Sequence, residues 1–117
     1  MTEEQLAEQV GRFYSRVRED ALLGPVFDSV IDDWPAHLVK LQAFWSSVML
    51  SSGRYHGRPM PAHVRHADRI RPEMFERWLQ LWRETADQVF DRDDADALVA
   101  KAARMGESFS LALFFRL

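Results

Sequence analysis

The chain has 117 residues, of which 47% are hydrophobic and 28% charged, and this length and balance predict one soluble globular domain spanning residues 1–117. The formal net charge of −3 gives no general reason to expect a nucleic acid or a membrane as partner. There is no cysteine, which excludes disulfides, iron–sulfur clusters, thiolate metal sites and a thiolate nucleophile. The polar start after Met1 and the lack of a long apolar span predict a cytoplasmic protein, and a monomer is the expected oligomeric state.

The N-terminal segment predicts an amphipathic helix. Thr2 and Gln5 fit a capping box, and the helix is expected to end at about Arg18. Its apolar face consists of residues at helical spacing, namely Leu6, Val10, Phe13, Tyr14 and Val17. The Gly-Pro pair in residues 23–27 then predicts a turn, with Phe27 as an anchor against the core.

A second long helix is predicted to begin with Asp32 or Asp33 as its cap and Pro35 in its first turn. Its bulky residues recur at helical spacing and form one stripe along the helix, namely Trp34, His37, Leu38, Leu41, Phe44, Trp45, Val48 and Met49. His37 lies inside this stripe rather than on its polar edge. The helix therefore carries an imidazole on an apolar face.

Residues 51–62 form a connector rich in Gly and Pro, which is long for so small a domain, and His63 ends it. A third helix is predicted to begin at Arg71-Pro72-Glu73. Its predicted apolar stripe consists of Phe75, Trp78, Leu79, Trp82, Ala86, Val89 and Phe90. The acidic run from Asp91 to Asp94 turns the chain into a fourth helix, whose stripe is Leu98, Ala102, Met105, Phe109 and Leu113. No strand-like alternation occurs, so the predicted fold is all-α with four main helices.

Four residues from different segments bring a polar atom to an apolar face: Tyr14, His37, His63 and Trp78. A buried donor without a partner costs about 1–3 kcal/mol, so each needs a partner. Backbone carbonyls could satisfy each residue separately. Taken together, the presence of all four residues is better explained if they converge on a polar ligand inside an apolar pocket.

The same residues carry a resemblance to a known family. In chain order, FYSRV, LGPVF, DWPAHL, FWSSV, GRYHGRPMPAH and FERWLQLW are similar to the group III truncated haemoglobins, from about Phe13 to Trp82. The resemblance implies a two-over-two helical sandwich around non-covalent haem b, with His63 as the proximal iron ligand. It implies that Tyr14 and Trp78 donate to bound dioxygen, that His37 and Leu41 form the distal gate and wall, and that Phe27 and Trp45 pack on haem.

Two details of the segment around His63 leave alternatives open. His66 lies one helical turn further on, but His63 alone occupies the family's position after GxPxxxH. From Arg54 to Arg71 there are five arginines and one acid. This stretch is either a solvated basic rim or a source of partners for the haem propionates. The candidate partners are Arg58, Arg65, Arg69, Arg71 and, on the second helix, Lys40.

Several functions remain compatible with these residues. Within the haem interpretation, the protein either binds dioxygen or a related diatomic such as nitric oxide or carbon monoxide, with a reductase as a further partner, or is a peroxidase-like or nitric-oxide-consuming enzyme. We favour reversible binding at a pentacoordinate iron. The alternatives without haem are a metal protein using His56, His63 and His66, an arginine-rich nucleic-acid module, and a helical interaction domain.

Overall fold

The computed structural model describes residues 1–56 and 70–114, with side chains up to residue 108. In these ranges the chain forms five helices and no strand, which confirms the predicted all-α class. The helices are α1 (Glu3–Glu19), α2 (Gly24–Val30), α3 (Trp34–Leu50), α4 (Pro72–Val89) and α5 (Arg92–Phe114). No described helix is long and apolar enough to cross a membrane.

Helix α1 is the centre of the arrangement, because it packs against α2, α3 and α4, while α4 in turn packs against α5. Its predicted capping box is confirmed: the Gln5 backbone N–H donates to Thr2 Oγ1 at 3.1 Å, and the Thr2 N–H donates to Gln5 Oε1 at 3.0 Å. The helix ends at Glu19, one residue beyond the expected end. The whole predicted apolar face, from Leu6 to Val17, is buried.

The turn predicted at residues 23–27 is wrong for Gly24–Phe27, which belong to the short helix α2; the turn lies just before it, at residues 21–23, with Leu23 as the N-cap. The Asp20 carboxylate accepts from the backbone N–H groups of Leu22 and Leu23 at 3.1 and 3.0 Å, so it satisfies donors at the entry to the helix. Pro25 is tolerated in the first helical turn, where a missing N–H costs nothing. The Gly-Pro pair therefore begins a helix instead of preventing one.

The three long helices that follow begin at the predicted positions. Asp33, rather than Asp32, caps α3, since its carboxylate accepts from the Ala36 N–H at 3.1 Å. Helix α4 begins at Pro72. At the start of α5, the Asp91 carboxylate accepts from the Asp94 N–H at 2.9 Å, which confirms a cap within the acidic run.

The end of α3 is tied to the start of α1 by polar side chains. Ser46 is fully buried and donates to the Glu3 carboxylate, which also pairs with Arg54. The Tyr55 backbone N–H donates to the Ser47 hydroxyl at 2.9 Å. These contacts fix where the chain enters the connector that leads to His63.

Two stacked tryptophans occupy the centre of the core. Trp45 of α3 and Trp82 of α4 have ring centroids 4.6 Å apart, and Phe13 of α1 meets Trp82 edge to face at 4.8 Å. Met74 and Leu81 of α4 are also buried, although the predicted stripe of that helix did not include them. Apart from Trp45, the predicted stripe of α3 is only half-buried, so this helix leaves much of its apolar face uncovered.

Candidate functional site

Tyr14 is the polar residue at the centre of the candidate site. It lies on α1 with 6% of its surface exposed, although a phenol at this point brings a hydroxyl into an apolar core. Burial raises the pKa of Tyr14 above its ordinary value of 10.0, and the nearby Trp78 indole, a hydrogen-bond donor, opposes part of that rise. The phenol is therefore neutral at physiological pH and has a hydrogen to donate.

Three rings from α2 and α3 surround the Tyr14 ring. The centroid of Phe27 lies 5.8 Å away, that of Trp34 also 5.8 Å, and that of His37 6.0 Å with its plane at 89° to the phenol. Trp34 and His37 are themselves in edge contact at 5.8 Å. The structure thus brings together Tyr14, Phe27 and His37, which were predicted from three separate segments.

Trp78 connects this group to the core of the molecule. Its ring lies parallel to that of Trp82, with an interplanar angle of 6° and a centroid distance of 6.0 Å, and it meets Phe13 edge to face at 5.9 Å. Trp82 in turn stacks on Trp45. The Trp78 indole is therefore held by packed rings close to Tyr14. This support is what a donor at a ligand site requires.

The remaining predicted residues in the described ranges lie on α3. Leu41 is half-buried and packs against the core, whereas Trp45 is buried within it. Lys40 is exposed.

The residues predicted to hold the cofactor from the other side, His63, Arg58 and Arg65, lie outside the described residues, and so does the competing ligand His66. Of the other candidates for the propionates, Arg71 is exposed and pairs with Glu73 at 3.4 Å. Within residues 1–56 and 70–108 no group of three His, Asp or Glu side chains could hold a metal ion. His63 as metal ligand stays a prediction.

Trp34 was not among the predicted site residues, although it contacts both Tyr14 and His37. A signal was present in the sequence, because Trp34 lies three residues before His37 and therefore on the same helical face. The contact with Tyr14, by contrast, depends on how α3 crosses α1. No sequence pattern within either helix specifies that crossing.

No protein-family model matches the sequence. The chain is 29% identical over 118 residues to the group 3 truncated haemoglobin ctb of Campylobacter jejuni, covering 97% of this chain and 92% of the relative. It also superposes on the crystal structure of the group III truncated haemoglobin from Campylobacter jejuni with a TM-score of 0.89 at 30% identity, again covering 97% of this chain and 92% of the other. Similarity of sequence and of fold over nearly the full length of both chains has one explanation. The chain belongs to the group III truncated haemoglobin family.

Proposed function

We propose that this globin binds haem b non-covalently and uses it to bind dioxygen, or a related diatomic ligand, reversibly. The observation that carries the proposal is the buried phenol of Tyr14, which lies among the rings of Phe27, Trp34 and His37 with the Trp78 indole nearby. A neutral phenol at this point has a hydrogen to donate to a polar ligand. Family membership supports the same cofactor.

The described residues fit a flat apolar cofactor. Apart from Trp45, the bulky side chains of α3 are only half-buried, and so are Phe27 and Trp78, although each packs against the core. Apolar surface left in water is unfavourable by roughly 25 cal/mol per Å², so a group that covers these side chains stabilises the fold. Leu41 and Phe27 would contact the macrocycle, and Trp45 would support it from the core side.

Haem supplies an iron atom with a coordination position open to a diatomic ligand. The chain would supply two hydrogen-bond donors to the polar ligand, the hydroxyl of Tyr14 and the indole N–H of Trp78. A hydrogen bond among buried rings is stronger than the same bond in water, because the local dielectric constant is low. The expected consequence is slow release of dioxygen. His37, at the edge of the same cluster, would control entry.

On the opposite side of the cofactor, we propose His63 as the proximal ligand. A ligating imidazole must be neutral, and its second nitrogen donates to an acceptor that fixes the ring. Lys40, Arg58 and Arg65 are the proposed partners of the propionates. The ties from Glu3 and Ser47 to Arg54 and Tyr55 support this side of the site, since they fix the start of the connector.

The visible absorbance spectrum tests the proposal directly. Protein purified with haem, or titrated with haemin, should show an intense haem band that shifts with carbon monoxide. The His63→Ala variant should lose haem or change its axial ligation, whereas His66→Ala should keep the wild-type spectrum. A colourless protein that refuses haemin would overturn the proposal, and the reverse result for the two variants would assign the ligand to His66.

The spectrum of the reduced, unliganded protein tests the state of the open position. A five-coordinate spectrum is expected if His37 stays with Tyr14 and Trp34. A six-coordinate spectrum that becomes five-coordinate in His37→Ala would instead make His37 a ligand.

A further inference from the structure

Three residues at the ends of α1, α2 and α3 form a cluster at the edge of the candidate pocket, and we call it the corner clasp: Arg18, Asp28 and Trp34. The Trp34 indole N–H donates to Asp28 Oδ1 at 3.2 Å. The Arg18 guanidinium lies over the same indole, 4.6 Å from its ring centroid, and its Nε is 3.6 Å from Asp28 Oδ1. Asp28 thus contacts the edge of the Trp34 ring, and Arg18 contacts its face.

The same indole also contacts two residues of the candidate pocket. The Trp34 centroid lies 5.8 Å from both the Tyr14 ring and the His37 ring, and those two rings are 6.0 Å apart. The three rings therefore form a closed triangle of contacts. A displacement of Trp34 would remove one neighbour from Tyr14 and from His37 at once, and rotamers of either could then change.

We propose that Trp34 is a positioning residue of the ligand pocket, and that the corner clasp sets how firmly Tyr14 and His37 are held in place. This inference rests on the proposed haem-dependent ligand binding. Arg18 and Asp28 are about half exposed, with side-chain exposures of 50% and 51%. Contacts between such exposed groups are weak, so the clasp should change ligand release by only about two- to fivefold.

The positioning role can be measured in the full chain without added haem. In Asp28→Ala the Trp34 indole N–H resonance should move, because its acceptor is gone, and the ring resonances of His37 should move with it. Asp32→Ala is the matched control, since it removes an exposed carboxylate between the same two helices. Unchanged His37 resonances in Asp28→Ala would overturn the inference, whether or not the protein binds haem.

The consequence for function is measured as the rate of dioxygen dissociation from the haem-loaded protein. Asp28→Ala should increase this rate by about two- to fivefold. Trp34→Phe, which keeps an aromatic ring but deletes the N–H, should act in the same direction. The double variant should be no faster than the faster single variant, because both substitutions break the same hydrogen bond.

Ionic strength separates this role from a general effect on folding. Salt weakens exposed ion pairs, so dioxygen release from the unmodified protein should accelerate as salt is added, while release from Asp28→Ala should not. If the haem-loaded protein releases dioxygen at the same rate with either substitution as without, the proposed role of the corner clasp is wrong, whereas the proposed function is unaffected. A chain that never takes up haem would overturn the proposed function, and the resonances of His37 would still decide whether the clasp positions that ring.

Discussion

The chemical role of Tyr14 is determined by the residues around it. A buried tyrosine in a helical core is ordinary when its hydroxyl bonds to a backbone carbonyl. Here the rings of Phe27, Trp34 and His37 surround the phenol, and the Trp78 indole lies nearby. The hydroxyl is therefore set among side chains that, apart from Trp34, were all predicted site residues.

Replacement of this hydroxyl should change ligand release. In Tyr14→Phe the ring packing is preserved while the donor is lost, so dioxygen should dissociate faster by roughly tenfold, which corresponds to the loss of one hydrogen bond of about 1.4 kcal/mol. The rate is measured by mixing the dioxygen complex with excess carbon monoxide. Tyr55→Phe is the control, because Tyr55 packs on Phe44 at 5.1 Å and is not part of the Tyr14 cluster. An unchanged rate in Tyr14→Phe would mean that the hydroxyl points away from the ligand.

At the scale of elements, the corner between α1 and α2 determines where Tyr14 meets Phe27. Asp20 organises this corner, since its carboxylate accepts from two backbone N–H groups of the entry to α2 and from Arg77 Nε of α4 at 2.7 Å. Burial opposes ionisation of Asp20, but the Leu23 N–H, Arg77 and the Leu22 N–H outweigh it, and the pKa lies below its ordinary value of 3.8. The ionised carboxylate is thus part of the folded structure.

This lowered pKa predicts a dependence of stability on pH. Since the folded protein holds its proton less tightly than the unfolded chain, Asp20 contributes stability above pH 3.8, and this contribution is lost as the pH falls through the lower, folded pKa. Asp20→Asn should lower the free energy of unfolding at neutral pH by about 1–3 kcal/mol and flatten its decline in acid. Urea unfolding at a series of pH values measures this. Asp32→Asn, on an exposed residue, should reproduce the wild-type curve.

The same corner requires a glycine. A Cβ on Gly24 would lie 2.6 Å from the Arg18 carbonyl oxygen, which belongs to the backbone and cannot move aside cheaply. Gly24→Ala should therefore destabilise the protein by at least about 1–3 kcal/mol. Gly11→Ala is the matched control, because a Cβ there meets nothing within 4 Å and alanine favours a helix interior, so a gain of about 0.5–1 kcal/mol is expected. Equal effects of the two substitutions in thermal unfolding would contradict this account of the corner.

On the scale of the whole molecule, the half-covered apolar face of α3 is the feature that distinguishes this domain from an ordinary helical bundle. Trp45 is buried, but Trp34, Leu38, Leu41 and Phe44 remain partly exposed although they pack against the core. Apolar surface that stays partly in water favours a ligand or partner that covers it. Haem is the occupant that the proposed function supplies.

Haem should therefore stabilise the fold as a whole. At a haem concentration about one hundredfold above the dissociation constant, linkage predicts a gain of about 2.7 kcal/mol, which raises Tm by on the order of 10 °C in a domain of this size. Differential scanning fluorimetry or circular dichroism measures the shift. His63→Ala should show a much smaller gain, and a wild-type Tm that haem leaves unchanged would contradict the proposal.

Helix positions were predictable because their signals are local. The capping box at Thr2, the cap at Asp33 and the proline at Pro72 each act within one helical turn, so the beginnings of α1, α3 and α4 followed from adjacent residues. The short helix α2 was not predictable in this way. Its entry depends on the Asp20 carboxylate, which is held by Arg77 of α4 as well as by the local turn. Burial of Met74 was likewise missed.

The sequence by itself determined the residue types, the helical faces on which Tyr14, His37 and Trp78 lie, and the family resemblance that predicts His63 as the iron ligand. Only the tertiary structure decided which of the described residues meet. Trp34 contacts Tyr14 and His37, and Trp78 contacts Phe13 next to Tyr14, because α3 and α4 both pack against α1. Such contacts depend on the angles and registers between helices. Those are set by the shapes of many packed side chains at once and leave no short-range pattern in the chain.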